Sequence, residues 1–254
     1  MSSEYVVIKC GGSVVNKLSD PFFLAIKELQ DQGKKLVIVH GGGSDVNDML
    51  ETMDVTSTFV EGLRKTTPEV MAVADLVFNG KVNPAICSGV QKAGMKSVGL
   101  SGYDGPLIQA KLLDEKKFGL VGVAEHVDPT LIVQLAEAGY VPVISPIVAG
   151  PDGMRLNMNA DTAASHYASA LKAEEIVFVT DVPGIMKDDQ LINHLTDYEV
   201  ETLMEDGTIY GGMIPKVKAA LHSLSGRIKT VRIVGAYSRG LGTSITKQVQ
   251  LHGS

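Results

Sequence analysis

Val6-Val7-Ile8-Lys9-Cys10-Gly11-Gly12-Ser13 and, further on, Leu36-Val37-Ile38-Val39-His40-Gly41-Gly42-Gly43-Ser44 each deliver an apolar run into consecutive glycines. Short apolar runs bounded by glycine read as strands buried on both faces, the kind found in parallel sheets covered by helices. Glycine lets the backbone come close to a ligand, and the helix that follows offers unpaired N–H groups to an anion. Lys9 stands at the end of the first run, directly before the glycine pair. That position aims it at the carboxyl edge of the sheet, where open α/β sheets bind ligands. The plainer alternative is a lysine with a buried stem and a solvated head. Two such loops with one embedded lysine suggest a polyanion handled between them, which is the setting of phosphate transfer.

Working outward, the pattern alternates strand and helix. Asp20 is placed to cap a helix with Pro21 at its first position and with Phe22, Ile26 and Leu29 on one face, stopped by Gly33. Ser44 is placed to cap a second helix that buries Val46, Met49, Leu50 and Met53. A helical stretch from Pro68 to Ala93 leads to a strand at Ser97–Leu100. Leu107–Leu113 and Phe118–Val123 flank Asp114–Lys117 as a hairpin with a polar tip, either a wall over a site or an insertion without a role. There follow a helix (Pro129–Ala138), a strand (Val141–Ser145), a turn (Gly150–Gly153) and a helix from Asp161. The last third repeats the rhythm: strand Glu175–Thr180, helices Asp197–Met204 and Ile214–Leu224, strand Thr230–Val234. Such a rhythm predicts an α/β protein with a mainly parallel sheet covered on both faces. No Pro-, Ser- or charge-rich linker divides it, so residues 1–254 read as one domain with two lobes on a shared sheet.

Composition narrows the function classes. The 254 residues carry a net charge of −6, which argues against nucleic acid or an anionic membrane as the main partner. Cys10 and Cys87 make no disulfide framework and no CxxC pair, so free thiols in a reducing cytoplasm are expected. No basic segment followed by an apolar run opens the chain, and no stretch approaches the ~20 apolar residues of a membrane span. The histidines show no metal-ligand spacing, and GxSxG and HExxH are absent. Neither glycine loop continues as GxGxxG, and GxxxxGK[ST] does not occur.

Further along, Leu156-Asn157-Met158-Asn159-Ala160-Asp161 holds two asparagines at a spacing of two, on one side of an extended segment. Asp161 could merely cap the next helix, yet with the asparagines it forms a polar cluster at a strand–helix junction. In Tyr210-Gly211-Gly212-Met213-Ile214-Pro215-Lys216, a lysine in a first helical turn opposes the helix dipole unless an anion binds there. Asp181-Val182-Pro183-Gly184-Ile185 leaves another strand at the same sheet edge. Glu61-Gly62-Leu63-Arg64 places an arginine in a short connection, and arginine suits a carboxylate.

Taken together and in this order, these segments resemble the amino-acid kinase family along nearly the whole chain. The resemblance is greatest to members that phosphorylate the γ-carboxylate of N-acetyl-L-glutamate in arginine biosynthesis. It implies an open three-layer α/β/α sandwich of the carbamate kinase type. Lobe 1–170 would hold the acyl-amino acid and the dimer contact, and lobe 171–254 would hold ATP. By resemblance, Lys9 stabilises the transferring phosphoryl group, Lys216 acts on the leaving side, and Asp161 holds both ammonium groups. Gly11 and Gly12 approach the nucleotide, and Gly41, Gly42 and Gly43 approach the substrate. Arg64 binds the substrate α-carboxylate with Asn157 and Asn159. Asp181, Val182, Pro183, Gly184, Ile185, Met186, Thr208, Ile209, Tyr210 and Met213 border the adenosine. Mg²⁺ is expected on the nucleotide without a protein cage.

A carboxylate nucleophile with pKa near ~4 is already ionised, so no general base is required, in keeping with the scattered histidines. Two alternatives stay open: a carrier-linked aminoadipate kinase, whose motifs depart from NxNAD and GGMIPK, and a non-catalytic sensor, against which Lys9, Asp161 and Lys216 speak. In the family, inhibition by arginine goes with a hexamer built through an extra N-terminal helix. Met1–Glu4 is too short for one, so a homodimer through Pro68–Ala93, insensitive to arginine, is expected.

Overall fold

The two opening runs form adjacent parallel strands, β1 (Tyr5–Cys10) and β2 (Lys35–His40), paired from Tyr5 with Lys35 to Cys10 with His40. The computed structural model describes residues 4–12, 14–211, 213–224, 228–237 and 242–248. Ser13 of the first glycine loop, Gly212 of the Gly211-Gly212 pair and residues 1–3 lie outside these, as does the side chain of Pro215.

Between the strands runs α1 (Asp20–Asp31), with Phe22, Phe23 and Ile26 buried. Its N-cap is Ser19 rather than Asp20, which instead pairs with Lys92. After β2 comes α2 (Gly43–Thr52), which buries Val46 and Leu50 but leaves Met53 half exposed. Ser44 does not cap α2. It lies inside the first turn, and its hydroxyl donates to the Gly12 carbonyl at 2.9 Å, tying the two glycine loops together.

A small hairpin, β3 (Phe59–Val60) and β4 (Leu63–Arg64), precedes α3 (Pro68–Val77). The expected helix to Ala93 is continuous but not uniform. A π turn at Phe78–Val82 joins α3 to α4 (Asn83–Lys92). Then follow β5 (Lys96–Gly102) and β6 (Ile108–Leu112), a helical turn α5 (Glu115–Phe118) and β7 (Gly122–Val127). The hairpin therefore forms, but Asp114 caps its tip into helix by accepting from the Lys117 amide, which delays the return strand to Gly122.

The remaining elements keep the alternation: α6 (Thr130–Glu137), β8 (Tyr140–Ala149), β9 (Arg155–Asn157), α7 (Ala160–Ala170) and β10 (Glu175–Thr180). A second small hairpin, β11 (Met186–Lys187) and β12 (Gln190–Leu191), leads to β13 (His194–Thr196), α8 (Asp197–Glu205), α9 (Met213–Leu224), β14 (Thr230–Gly235) and β15 (Thr243–Thr246).

Eleven strands form one sheet in the order β13-β15-β14-β10-β1-β2-β8-β6-β7, with β5 and β9 also paired to β8. The centre is parallel, and antiparallel pairs occur at β14–β15, β6–β7 and β8–β9. Side-chain alternation divides the core. Val7, Val39, Ile144 and Ile176 pack toward one face with Tyr167 of α7. Ile8, Ile38, Val143 and Ile147 pack toward the other with Phe22, Val70 and Ile86 of the early helices. Lys9 has the parity of Val7, so it leaves β1 on the side of α7, whose N-terminus supplies its partner.

Candidate active site

The two glycine loops meet backbone to backbone. A Cβ on Gly12 would sit 2.5 Å from the Gly43 nitrogen, a separation real Cβ atoms do not show, so glycine is required for this approach. Gly42 is constrained twice. Its φ is +155°, and a Cβ there would come within 3.0 Å of Val82 and 3.1 Å of Phe78.

Across the sheet edge, Asn159 is the N-cap of α7: its Oδ1 accepts from the Asp161 amide at 2.8 Å and the Thr162 amide at 3.2 Å. Because Asn159 performs the capping, the Asp161 carboxylate is free of it and pairs with Lys9 at 2.7 Å. This pair is half-buried, with the lysine side chain 14% and the aspartate 37% exposed.

Lys9 and Asp161 line two cavities at once. The larger, of about 410 Å³, is also bounded by Gly41–Gly43, Arg64 and Asn157. The smaller, of about 160 Å³, is bounded by Gly11, Thr180 and Lys216. The ion pair thus forms the partition between them.

Arg64 is buried, and burial pushes its guanidinium below its ordinary value, although it stays charged. It donates to Ser57 Oγ at 3.0 Å and the Gly43 carbonyl at 3.1 Å, and it stacks over Phe59 at 4.7 Å. Among the described residues no carboxylate pairs with it. A buried cation without an anionic partner, facing a cavity, is a receptor for an anion. Asn157 reaches the same wall by donating to Thr66 Oγ1 at 3.1 Å, and Thr66 donates on to the Arg64 carbonyl at 2.9 Å. The hairpin base completes the wall, since Leu120 donates to the Thr66 carbonyl at 2.7 Å and Asn157 donates to the Leu120 carbonyl at 2.9 Å.

Lys216 is held differently from the expectation. Its ammonium pairs with Asp181, not with Asp161, and this bond together with the lysine's charge holds the Asp181 carboxyl below its ordinary range. Asp161 therefore holds only Lys9 of the two lysines, because Asp181 at the end of β10 meets the first turn of α9. Around this second cavity the segments assigned to adenosine divide. Ile185 and Ile209 are core residues, anchored by backbone bonds to Thr243 Oγ1 at 2.8 Å and to the Leu203 carbonyl at 2.7 Å. Val182 is tied to Thr180 Oγ1, and a Cβ on Gly235 would lie 3.1 Å from the Pro183 Cα. Gly184 is buried with φ +153°, Thr208 and Met213 are half-buried, and Pro183, Met186 and Tyr210 are exposed, Tyr210 to 76%. Among the described residues, none of 182–186, 208–211 or 213 lines the smaller cavity itself.

A sequence model of the amino acid kinase family matches residues 4–235. The chain belongs to the amino acid kinase family. An acetylglutamate kinase from Halalkalibacterium halodurans is 50% identical to it over 253 residues, covering 97% of each chain. A crystal structure of a Streptococcus mutans protein superposes with a TM-score of 0.82 at 30% identity, covering 97% of this chain and all of that one. Carbamate kinase from Giardia lamblia shares the fold alone, with a TM-score of 0.66 at 16% identity, covering 96% of this chain and 98% of that one.

Sequence reasoning missed several residues of this amino acid kinase site. Ser57 and Phe59, which hold the Arg64 guanidinium, and Thr66, which bonds its backbone carbonyl, belong to no motif, although an aromatic five residues before an arginine on a short hairpin is a readable hint. The pairing of His40 with Asn83 was not legible at all. Among the described residues no cluster of three His, Cys, Asp or Glu could hold a metal ion, and no helix is long and apolar enough to cross a membrane.

Proposed function

We propose that this protein transfers the γ-phosphoryl group of MgATP to the γ-carboxylate of N-acetyl-L-glutamate, giving N-acetyl-L-glutamyl 5-phosphate for arginine biosynthesis in the cytoplasm. The observation that carries the reading is the larger cavity, with buried Arg64 at one end and the Lys9–Asp161 pair at the other. The near-full-length likeness to an acetylglutamate kinase supports the substrate.

In this reading Arg64 takes the α-carboxylate and Asn157 lies beside it, which directs the γ-carboxylate toward Lys9 and the glycine loops. The nucleophile is ionised, so the chemistry needs alignment and charge neutralisation rather than proton abstraction. Lys9 neutralises the transferring group, the N–H groups of Gly11, Gly42 and Gly43 receive its oxygens while that of Gly41 is engaged by the Cys10 carbonyl at 2.9 Å, and Lys216 faces the leaving side from the smaller cavity. Magnesium would arrive on the triphosphate. ATP would lie across residues 171–254, with its base near the exposed segments 181–186 and 208–213, and the acyl-amino acid would lie within residues 1–170.

We further infer a homodimer through α3 and α4. An apolar groove on α3 with Leu76 59% exposed supports it, bordered by Asp75, Arg155 and Tyr103. Hydroxylamine trapping of the acyl phosphate tests the reaction. Product should form only with ATP and N-acetylglutamate together. Equal turnover with glutamate or carrier-bound aminoadipate would overturn the substrate.

A further inference from the structure

The π turn Phe78–Val82 lies directly behind the second glycine loop and touches it at three places. Phe78 and Val82 pack on Gly42, Phe78 also meets the His40 ring edge-on at 6.3 Å between centroids, and Lys81 pairs at 2.6 Å with buried Asp45 in the first turn of α2. The next residue, Asn83, is buried and reaches into the sheet. Its Nδ2 lies 3.2 Å from His40 Nε2, 2.8 Å from the Val143 carbonyl and 3.2 Å from the Leu100 carbonyl.

His40 is fully buried at the end of β2, with Nδ1 2.8 Å from the Gly41 carbonyl. A carbonyl only accepts, so Nδ1 carries the proton, and the lone pair on Nε2 accepts from Asn83. Burial keeps this ring neutral, with its pKa held down at about 4. An imidazole so placed can do no proton transfer in the cavity, but it fixes the orientation of the Gly41 peptide, and therefore where the following N–H groups point. The adjoining strand leaves no slack, because a Cβ on Gly99 would stand 2.1 Å from Asn83 Oδ1.

We propose that Asn83 and His40 form a positioning relay, anchored on the π turn, that aims the Gly42 and Gly43 N–H groups at the transferring phosphoryl group. The relay rests on the phosphoryl-transfer reading of the site. Its members touch no substrate; they act through the loop. A π turn adds one residue to a helix. Here it lets Phe78 and Val82 face Gly42 while Asn83 faces His40.

The test compares His40→Asn, whose amide nitrogen replaces Nδ1 beside Gly41, with His40→Gln, whose amide replaces only the far side of the ring. His40→Gln and Asn83→Ala should lower kcat about 100-fold, the scale of a small misplacement of transition-state donors. His40→Asn, which keeps a donor beside the Gly41 carbonyl but loses the bond to Asn83, should fall only about 10-fold, and the KM for ATP should change less than about threefold throughout. Val90→Ala, buried in the same helix away from the loop, serves as a control matched in lost Tm that keeps kcat. A loss of kcat that merely follows Tm across the set, or equal damage from His40→Asn and His40→Gln, would overturn the relay. ¹⁵N spectra of the wild-type imidazole need no variant. A proton on Nδ1 supports the relay, and a proton on Nε2 refutes it. Wild-type protein that makes no hydroxamate from N-acetylglutamate would instead sink the reading of the reaction, which keeps the two failures apart.

Discussion

Acidification should weaken this protein in a way traceable to one side chain. His40 has an ordinary value of 6.5 when exposed and is held at about 4 when folded, by desolvation and with no charged group contributing. The unfolded chain therefore binds a proton that the native state refuses, so stability falls as pH drops below the unfolded pKa and the loss levels off below the folded one. The gap of about 2.5 units corresponds to roughly 3 kcal/mol in full. Of this, about 1 kcal/mol should be lost by about pH 5.5 and roughly 2–3 kcal/mol by about pH 4.5. The assay is urea denaturation followed by far-UV circular dichroism, since the chain has no tryptophan, run on wild type and His40→Asn from about pH 7.5 downward. Other titrating groups, including half-buried His166, cancel in the difference between the two proteins. The variant pays a packing penalty at every pH, but the gap between the proteins should narrow by the stated amounts on acidification. Parallel curves across that range would refute the neutral, buried assignment of His40.

Lys9→Ala and Lys216→Ala should each lower kcat by about 100-fold or more with smaller changes in KM, because their charge acts on the transition state; steady-state kinetics decide. Arg64→Ala should raise the KM for N-acetylglutamate about 10- to 100-fold with kcat nearly kept, as expected for a lost charged hydrogen-bond donor. Gly12→Ala should separate the glycine loops and destabilise the fold by about 1–3 kcal/mol, measured by thermal melting, while abolishing most turnover. Leu76→Asp should convert a dimer to monomers by light scattering, and a wild type that is already monomeric would remove the proposed interface.

The parts of this molecule that were legible in its sequence are those governed by short-range rules. Continuous apolar runs gave β2 and β10 to within a residue and β1 to within two, and glycines after them located the loops that now face both cavities. Capping residues were less secure, since Asp20, Ser44 and Asp161 all lie inside first turns, one or two residues past the N-cap position. Ser19 and Asn159 hold the N-cap positions because these need extended backbone just before the helix, and of the two Asn159 caps with its side chain while the Ser19 hydroxyl donates to the Ala236 carbonyl. Met53 looked inward by periodicity but is the C-cap of α2 and is exposed. The partner of Lys216 could not be read, because Asp161 and Asp181 both stand at this sheet edge and only the geometry of α9 against β10 chooses between them. The π turn was invisible for a related reason: its cause is the fit of Phe78, Val82 and Asn83 to a distant loop, not any local preference of those residues.

The strand order places β1 at the heart of the sheet, hydrogen-bonded on one side to β2 and on the other to β10, which comes much later in the chain. Parallel pairings of distant segments are slow to form and leave edges exposed in the meantime. During synthesis, Lys9 would emerge long before Asp161, Asp181 or Lys216, with the flank of its strand awaiting a partner. A nascent or truncated chain thus has glycine loops but no ion pair between two cavities, and no means of drawing a nucleotide toward them. Completion of the sheet and arrival of phosphoryl-transfer competence become a single event, so incomplete chains would not waste ATP.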